Sequence, residues 1–170
     1  MSLVPVDSLP DAARVWVFVS ADPLTLNQQA ELARFLSAEL ATWTAHRREL
    51  RVAYNILHNR FVIVAVDESA TAPSGCSIDA LFNLMRNCGD TIGNALVDTA
   101  DIVWRSPEGL QAETRGGFNQ LARAGRVDRS TVVFDRTVES IGNIRNGAWE
   151  KTVAHSWHAR AFDFPPAPTA

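Results

Sequence analysis

The chain of 170 residues contains very little cysteine and almost no lysine. Cysteine occurs only as Cys76 and Cys88, and Lys151 is the single lysine among 16 basic residues. If one helix carries both cysteines, their Cα atoms lie about 18 Å apart, whereas a disulfide requires roughly 7 Å or less. Two unpaired thiols are typical of a reducing compartment, which predicts a cytoplasmic protein.

Long apolar segments and a basic surplus are also missing. The longest apolar run, 61–66, has the length of a strand and falls far short of the ~20 residues of a membrane helix. The first five residues lack the basic and apolar stretches of a secretory signal. Acidic residues number 19 against 16 basic ones, for a net charge of -3. We therefore expect no membrane partner, and nucleic-acid binding is disfavoured.

The motifs of common nucleotide and metal sites are missing too. The chain has no G-x-x-x-x-G-K-[ST], G-x-G-x-x-G or G-x-S-x-G sequence, and neither CxxC nor HExxH. P-loop nucleotide hydrolysis is therefore excluded, and nothing predicts a cofactor or a metal site. His155 and His158 are three residues apart and would share one helical face, but packing or surface roles account for such a pair.

What is present is a pattern of an α+β protein, with 46% hydrophobic and 21% charged residues. Residues 14–20 and 61–66 are rich in β-branched and aromatic side chains, as strands are, and 50–56 alternates apolar with polar residues. Thr25 and Gln28 have the spacing of a capping box ahead of an amphipathic helix. A second helix around Leu81 and Met85 is expected to end before Gly89.

With Ile102–Trp104 as a fourth strand, the order β-α-β-β-α-β predicts a ferredoxin-like sandwich over residues 12–105. Its four-stranded antiparallel sheet would carry both helices on one face. Residues 106–164 are expected to form a small C-terminal α/β appendage packed on this core, with a helix starting at Ser106-Pro107. Residues 1–11 and 165–170 are expected to be flexible termini.

The hexad Ser74-Gly75-Cys76-Ser77-Ile78-Asp79 is the best candidate site, because it places a thiol at the start of a helix. The first amides of a helix lack intrahelical acceptors and lie at the positive end of its dipole, so they bind anions and stabilise a thiolate. Gly75 would allow close approach of a ligand, and Ser74 and Ser77 add hydroxyl donors. The alternative is structural: a serine N-cap, Asp79 as the acid of the first turn, and Cys76 as a small buried residue.

Three further residues complete the catalytic hypothesis, in which Cys76 is a nucleophile for an anionic small molecule. His46 or His158 would serve as the base, and Asp67, at a strand end, as an orienting acid. Each has a simpler explanation, as a basic residue after a helix, a packed histidine or a solvated turn acid.

A different class of function is a non-catalytic protein-interaction or regulatory module. A sheet edge or face would then dock a protein partner, a homodimer being one form. RNA binding through the sheet face, using Arg51 and Arg60, is a weaker alternative, since the aromatic signature of such a surface is missing.

Several short segments resemble an uncharacterised family of small bacterial proteins, over about residues 12–162. They are Trp43-Thr44-Ala45-His46, Val66-Asp67-Glu68, the hexad at 74–79, Val133-Phe134-Asp135, Trp149-Glu150 and Ser156-Trp157-His158-Ala159-Arg160. Some members are labelled ABC transporter ATPases, a label that requires the P-loop missing here. Arg47 stands where the family pattern has a glycine. The resemblance implies that the hexad is a functional loop, without indicating a substrate or a reaction.

Overall fold

The structure is a computed structural model that describes residues 3–45, 48–97 and 102–165. The chain divides into two compact units, Met1–Thr99 with Val138–Asn146 and Ala100–Thr137 with Gly147–Ala170. The strands and α-helices, in chain order, are β1 (Arg14–Ser20), α1 (Leu26–Leu40), β2 (Thr44–Ala45), β3 (Arg48–Glu49), β4 (Arg51–Leu57), β5 (Phe61–Asp67), α2 (Gly75–Ile92), β6 (Leu96–Val97), β7 (Ile102–Ser106), β8 (Gly109–Glu113), α3 (Arg115–Arg123), β9 (Val132–Phe134), α4 (Ile141–Arg145), β10 (Glu150–Thr152) and α5 (His158–Ala161).

The first unit is built on an antiparallel sheet with the strand order β4-β5-β1-β6. Its helices and antiparallel strands confirm the α+β class. The expected fourth strand was placed wrongly: Ile102–Ser106 is a strand of the other sheet, and Leu96–Val97 pairs with β1 instead. A two-residue strand has no recognisable periodicity, whereas the apolar run at 102–104 has the residue pattern of a strand.

Both strands of the β4–β5 hairpin follow the sequence pattern. His58 and Asn59 have φ of 54° and 52°, the left-handed conformation that matches the twist of a tight hairpin. All seven residues of β5 are buried. Such a strand reads as continuously apolar, which is why its position was visible in the sequence.

Both long helices pack on one face of this sheet. Thr25 and Gln28 form the predicted capping box of α1, and Leu32 and Leu36 are fully buried against the sheet. The end of α2 differs from the expectation, because the helix continues to Ile92 and Gly93 is its left-handed cap with φ 64°.

Residues 3–9, expected to be flexible, lie beside β4. The amide of Val4 donates to the Val52 carbonyl at 2.9 Å, Val6–Ser8 form a 3-10 helix, and Leu9 is buried. Residues 1–2 and 166–170 lie outside the described part of the chain.

The second unit contains a sheet with the strand order β10-β9-β7-β8. The expected helix at Ser106-Pro107 is wrong, because these residues form the turn of the β7–β8 hairpin, where the Ser106 hydroxyl accepts from the Glu108 amide. Thr114 caps α3 instead. After β10 the chain forms a 3-10 helix at Val153–His155 and the single turn of α5.

Candidate functional site

A hollow of about 410 Å³ opens beside Cys76 in the first unit. Its walls come from the end of α1, the segment leading into β2 and the first three turns of α2. We call it the Cys76 hollow. The residues that line it are Glu39, Thr42, Trp43, Thr44, Ser74, Cys76, Ser77, Ala80, Leu81 and Leu84. Cys76 is exposed, so its thiol meets solvent in a concave, partly apolar surface.

Ser74 and Ser77 form the N-terminal cap of α2. The Ser77 amide donates to the Ser74 hydroxyl at 3.2 Å, and the Ser74 amide donates to the Ser77 hydroxyl at 2.6 Å. The Ser77 hydroxyl also donates to the Ser74 carbonyl at 2.9 Å. Both hydroxyls are thus used in the cap, and by their position the amides of Gly75 and Cys76 are the ones without an intrahelical acceptor.

Gly75 leaves open space at the helix start. A Cβ atom built there would have no neighbour within 4 Å, so the fold does not require glycine at this position for steric reasons. The space beside the Gly75 backbone is therefore open, and a small side chain would fit there as well.

The two cysteines of α2 differ sharply in environment. Cys88 is 1% exposed, and burial, with a contribution from the charge of Glu39, raises its pKa to about 11. A thiol in that state is inert at neutral pH. Cys76 is therefore the accessible thiol of the pair, and Cys88 serves as an internal reference.

Trp43 forms an aromatic wall of the Cys76 hollow. Its Nε1 donates to the Ser77 carbonyl at 3.1 Å, and its ring meets that of Trp16 edge to face, with 6.4 Å between centroids. No sequence pattern indicates this role, because tryptophans at 16 and 43 fit a core equally well. Trp43 lines the hollow because it lies just after the end of α1 and its indole donates to Ser77 at the start of α2, a segment far away along the chain.

Asp67 lies at the end of β5 and does not line the Cys76 hollow. Its carboxylate accepts from the Ser69 amide at 3.0 Å and from Arg51 Nη1 at 3.0 Å. The hydrogen bonds from Ser69, followed by the pairing with Arg51, hold the pKa of Asp67 below its usual range. This carboxylate thus organises a strand end, and the structure does not bring it to Cys76.

The structure places one of the two candidate histidines. His46 lies outside the described residues. His158 belongs to the second unit, where its ring stacks on Trp157 at 3.9 Å and its Nδ1 lies 3.0 Å from the Ser156 hydroxyl. Burial lowers the pKa of His158 to about 4. The described lining of the Cys76 hollow includes no histidine.

The arginines suggested for RNA binding are engaged inside the first unit. Arg60 is 6% exposed and donates to the Ala21 carbonyl at 2.7 Å, and Arg51 pairs with Asp67. Within the described ranges, no group of three or more potential ligand side chains could hold a metal ion. No helix in the described part of the chain is long and apolar enough to cross a membrane.

Comparison with family models, with curated proteins and with solved structures finds no match to this chain. Its function therefore has to be inferred from the geometry of its hollows.

Proposed function

We propose that the Cys76 hollow is a binding site for an anionic small molecule, with Cys76 as the reactive contact. The observation that carries the proposal is the position of an exposed thiol on the wall of a 410 Å³ hollow at the start of an 18-residue helix. That volume lies within the ~300–1,000 Å³ of typical small-molecule pockets. A carboxylate or phosphate would accept from the free amides at Gly75 and Cys76, where the helix dipole favours negative charge.

The rest of the hollow determines the shape of the ligand. Trp43 offers an aromatic wall for an apolar or planar body, and Leu84 extends the apolar surface. Glu39 is also part of the lining, and its carboxylate would repel a second negative charge on the ligand. The site therefore suits a molecule with one anionic end and an uncharged body.

As a nucleophile, the exposed Cys76 would lose its proton to water, and its sulfur would add to the carbon of a carbonyl group of the bound molecule. The electron pair of the carbonyl π bond would move onto its oxygen, which would take up a proton from water. The N-terminus of a helix is a general setting in which proteins stabilise a thiolate. Such a thiol has to stay reduced, which agrees with a reducing compartment such as the cytoplasm.

We also propose that the first unit is a ferredoxin-like sandwich. The succession β1-α1-β4-β5-α2-β6, the strand order β4-β5-β1-β6 and the placement of both helices on one face support this assignment. In this arrangement the start of α2 and the end of α1 come to the same end of the sandwich, which brings Cys76 and Trp43 together.

The test compares alkylation of the two cysteines by iodoacetamide, followed by mass spectrometry of the intact chain and its peptides. At pH 7 we expect Cys76 in the folded protein to react at least about three times faster than in the urea-unfolded chain, because the helix start stabilises its thiolate. Cys88 is the matched internal control and should react only after unfolding.

The anion part of the proposal is tested in the same assay with inorganic phosphate, against sodium chloride at equal ionic strength. Phosphate should slow the alkylation of Cys76 by at least about twofold if it occupies the free amides. If Cys76 reacts no faster in the folded than in the unfolded chain, the proposal of a reactive thiol is wrong. If its alkylation rate is the same in phosphate and in chloride, the proposal of an anion site is wrong. Both results together favour the non-catalytic interaction module.

A further inference from the structure

A second hollow, of about 680 Å³, lies at the start of β1 in the first unit. We call it the Trp16 hollow. It is lined by Ala12, Arg14, Val15, Trp16, Glu68, Val138, Glu139 and Ser140. Its outer wall exists because the chain returns here: Ser140 bridges to Arg14, and the Val15 amide donates to the Glu139 carbonyl at 3.1 Å.

A cation already lies on the indole ring of this hollow. The Arg14 guanidinium carbon is 4.7 Å from the centroid of Trp16, within the range of a cation–π interaction. Its Nη1 lies 3.4 Å from a carboxylate oxygen of Glu68, and the two side chains are 45% and 37% exposed. An ion pair this long and this exposed contributes little, so Arg14 is weakly held and can move off the ring.

The lining carries one more carboxylate than it has cations. Glu139 is exposed, and its carboxylate has no ion-pair partner within the part of the chain that the structure describes. The nearby acids Asp67 and Asp11 are already paired, with Arg51 at 3.0 Å and Arg145 at 2.6 Å. A ligand cation that displaced Arg14 would meet the Trp16 ring in a lining that also holds the carboxylates of Glu68 and Glu139.

We infer that the Trp16 hollow binds the guanidinium or ammonium group of a basic ligand, with an arginine-containing peptide segment as the best match to its size. The cation pairs with Glu139 and takes the place of Arg14 on Trp16, while Ser140 and Val138 contact the ligand body. A hollow of 680 Å³ exceeds one side chain and accommodates a short peptide. The inference goes beyond the proposed function, because it uses neither Cys76 nor the start of α2.

Isothermal titration calorimetry of the full chain with acetyl-Gly-Arg-Gly-amide tests the site. The peptide should bind at low salt, and its affinity should fall as salt is added. Its citrulline analogue, which lacks the charge, should bind at least about fivefold more weakly. Agmatine, a guanidinium without a peptide backbone, shows how much of the affinity the charged group supplies. Binding of agmatine at equal strength assigns the site to small amines of the same chemistry.

Three variants separate a binding role from a structural one. Glu139→Gln should weaken the peptide about two- to fivefold, and Arg14→Gln should strengthen it by a similar factor, because it vacates Trp16 and frees Glu68. Glu31→Gln, an acid on α1 away from the lining, is the control and should leave the peptide affinity unchanged.

Equal binding of the citrulline peptide, or weaker binding to Arg14→Gln, would overturn the inference. Cys76→Ser should leave peptide binding unchanged. A negative result in the titration would therefore contradict only the Trp16 hollow, and a negative result in the alkylation assay only the Cys76 hollow.

Discussion

At the scale of single residues, Gly89 sets how closely α2 can approach β6. A Cβ atom at this position would lie 2.7 Å from the Leu96 amide nitrogen and 3.2 Å from the Ala95 Cα. Both neighbours are backbone, so they cannot rotate away. The chain after α2 turns back at once through Gly93 to form β6, and Gly89 is the position against which it turns.

Gly89→Ala should therefore destabilise the protein by about 1–3 kcal/mol through overpacking, although alanine is the better helix former by about 1 kcal/mol. Gly75→Ala, on the same helix with no neighbour within 4 Å, is the matched control and should be neutral or slightly stabilising. Urea unfolding followed by tryptophan fluorescence measures both. Equal stability of the two variants would show that the contact at Gly89 is not restrictive.

Gly89 also shows what a sequence leaves undecided at one residue. Two glycines, Gly89 and Gly93, follow the apolar stripe of α2, and either one could end a helix. The choice depends on Leu96 packing back on the helix, a tertiary contact that no local pattern contains. Cys76 is similar, since its place at the helix start was predictable, but the hollow beside it includes Trp43 from a distant segment.

At the scale of elements, short sequence patterns predicted those features whose stabilising hydrogen bonds join residues close together in the chain. The Thr25 capping box was predicted because both of its hydrogen bonds join residues three apart. The Ser74 cap has the same spacing. The pairing of β6 and the turn at Ser106-Pro107 were missed, because a serine followed by proline begins a helix or a turn with similar ease, and the strand on its far side decides between them.

The two capping boxes allow a prediction about the Cys76 hollow. Ser74→Ala and Thr25→Ala should each cost about 0.5–2 kcal/mol of stability, since each removes an N-cap acceptor. Only Ser74→Ala should also lower the folded-to-unfolded ratio of Cys76 alkylation rates, because fraying of the first turn of α2 moves the free amides away from the sulfur. If Thr25→Ala lowers this ratio by a similar amount, the alkylation rate reflects a general loss of stability and not the geometry at the start of α2.

At the scale of the whole molecule, the contribution of Val138–Asn146 to the first unit was not visible in the sequence. Val138 and Glu139 complete the Trp16 hollow although they stand more than a hundred residues after Trp16 along the chain. No periodicity links such distant segments. The composition and the two-helix, antiparallel pattern indicated the α+β class, whereas the hollows depend on long-range pairing.

The free energy of unfolding depends on pH as a property of the whole chain. Between pH 4 and pH 6.5 we expect His158 to make the largest contribution to this dependence. Its pKa is lowered from 6.5 to about 4 by burial, with the charge of Asp135 acting in the opposite direction. The unfolded chain therefore binds a proton between these values while the folded chain does not. The resulting stability is complete above pH 6.5 and is lost as the pH falls towards 4.

Between pH 7 and pH 5 the native protein should accordingly lose about 2 kcal/mol more stability than His158→Phe, which keeps an aromatic ring beside Trp157 but cannot titrate. His155→Gln changes an exposed histidine three residues earlier and should keep the full pH dependence. Urea denaturation curves at several pH values measure all three proteins. The carboxylates of Asp67 and Asp135, whose pKa values are lowered, lose their stabilising contribution only as the pH falls below about 5, so they do not obscure this window. A native slope equal to that of His158→Phe would mean that His158 is protonated at little cost in the folded state, and that its burial among aromatic rings does not set the acid limit of the fold.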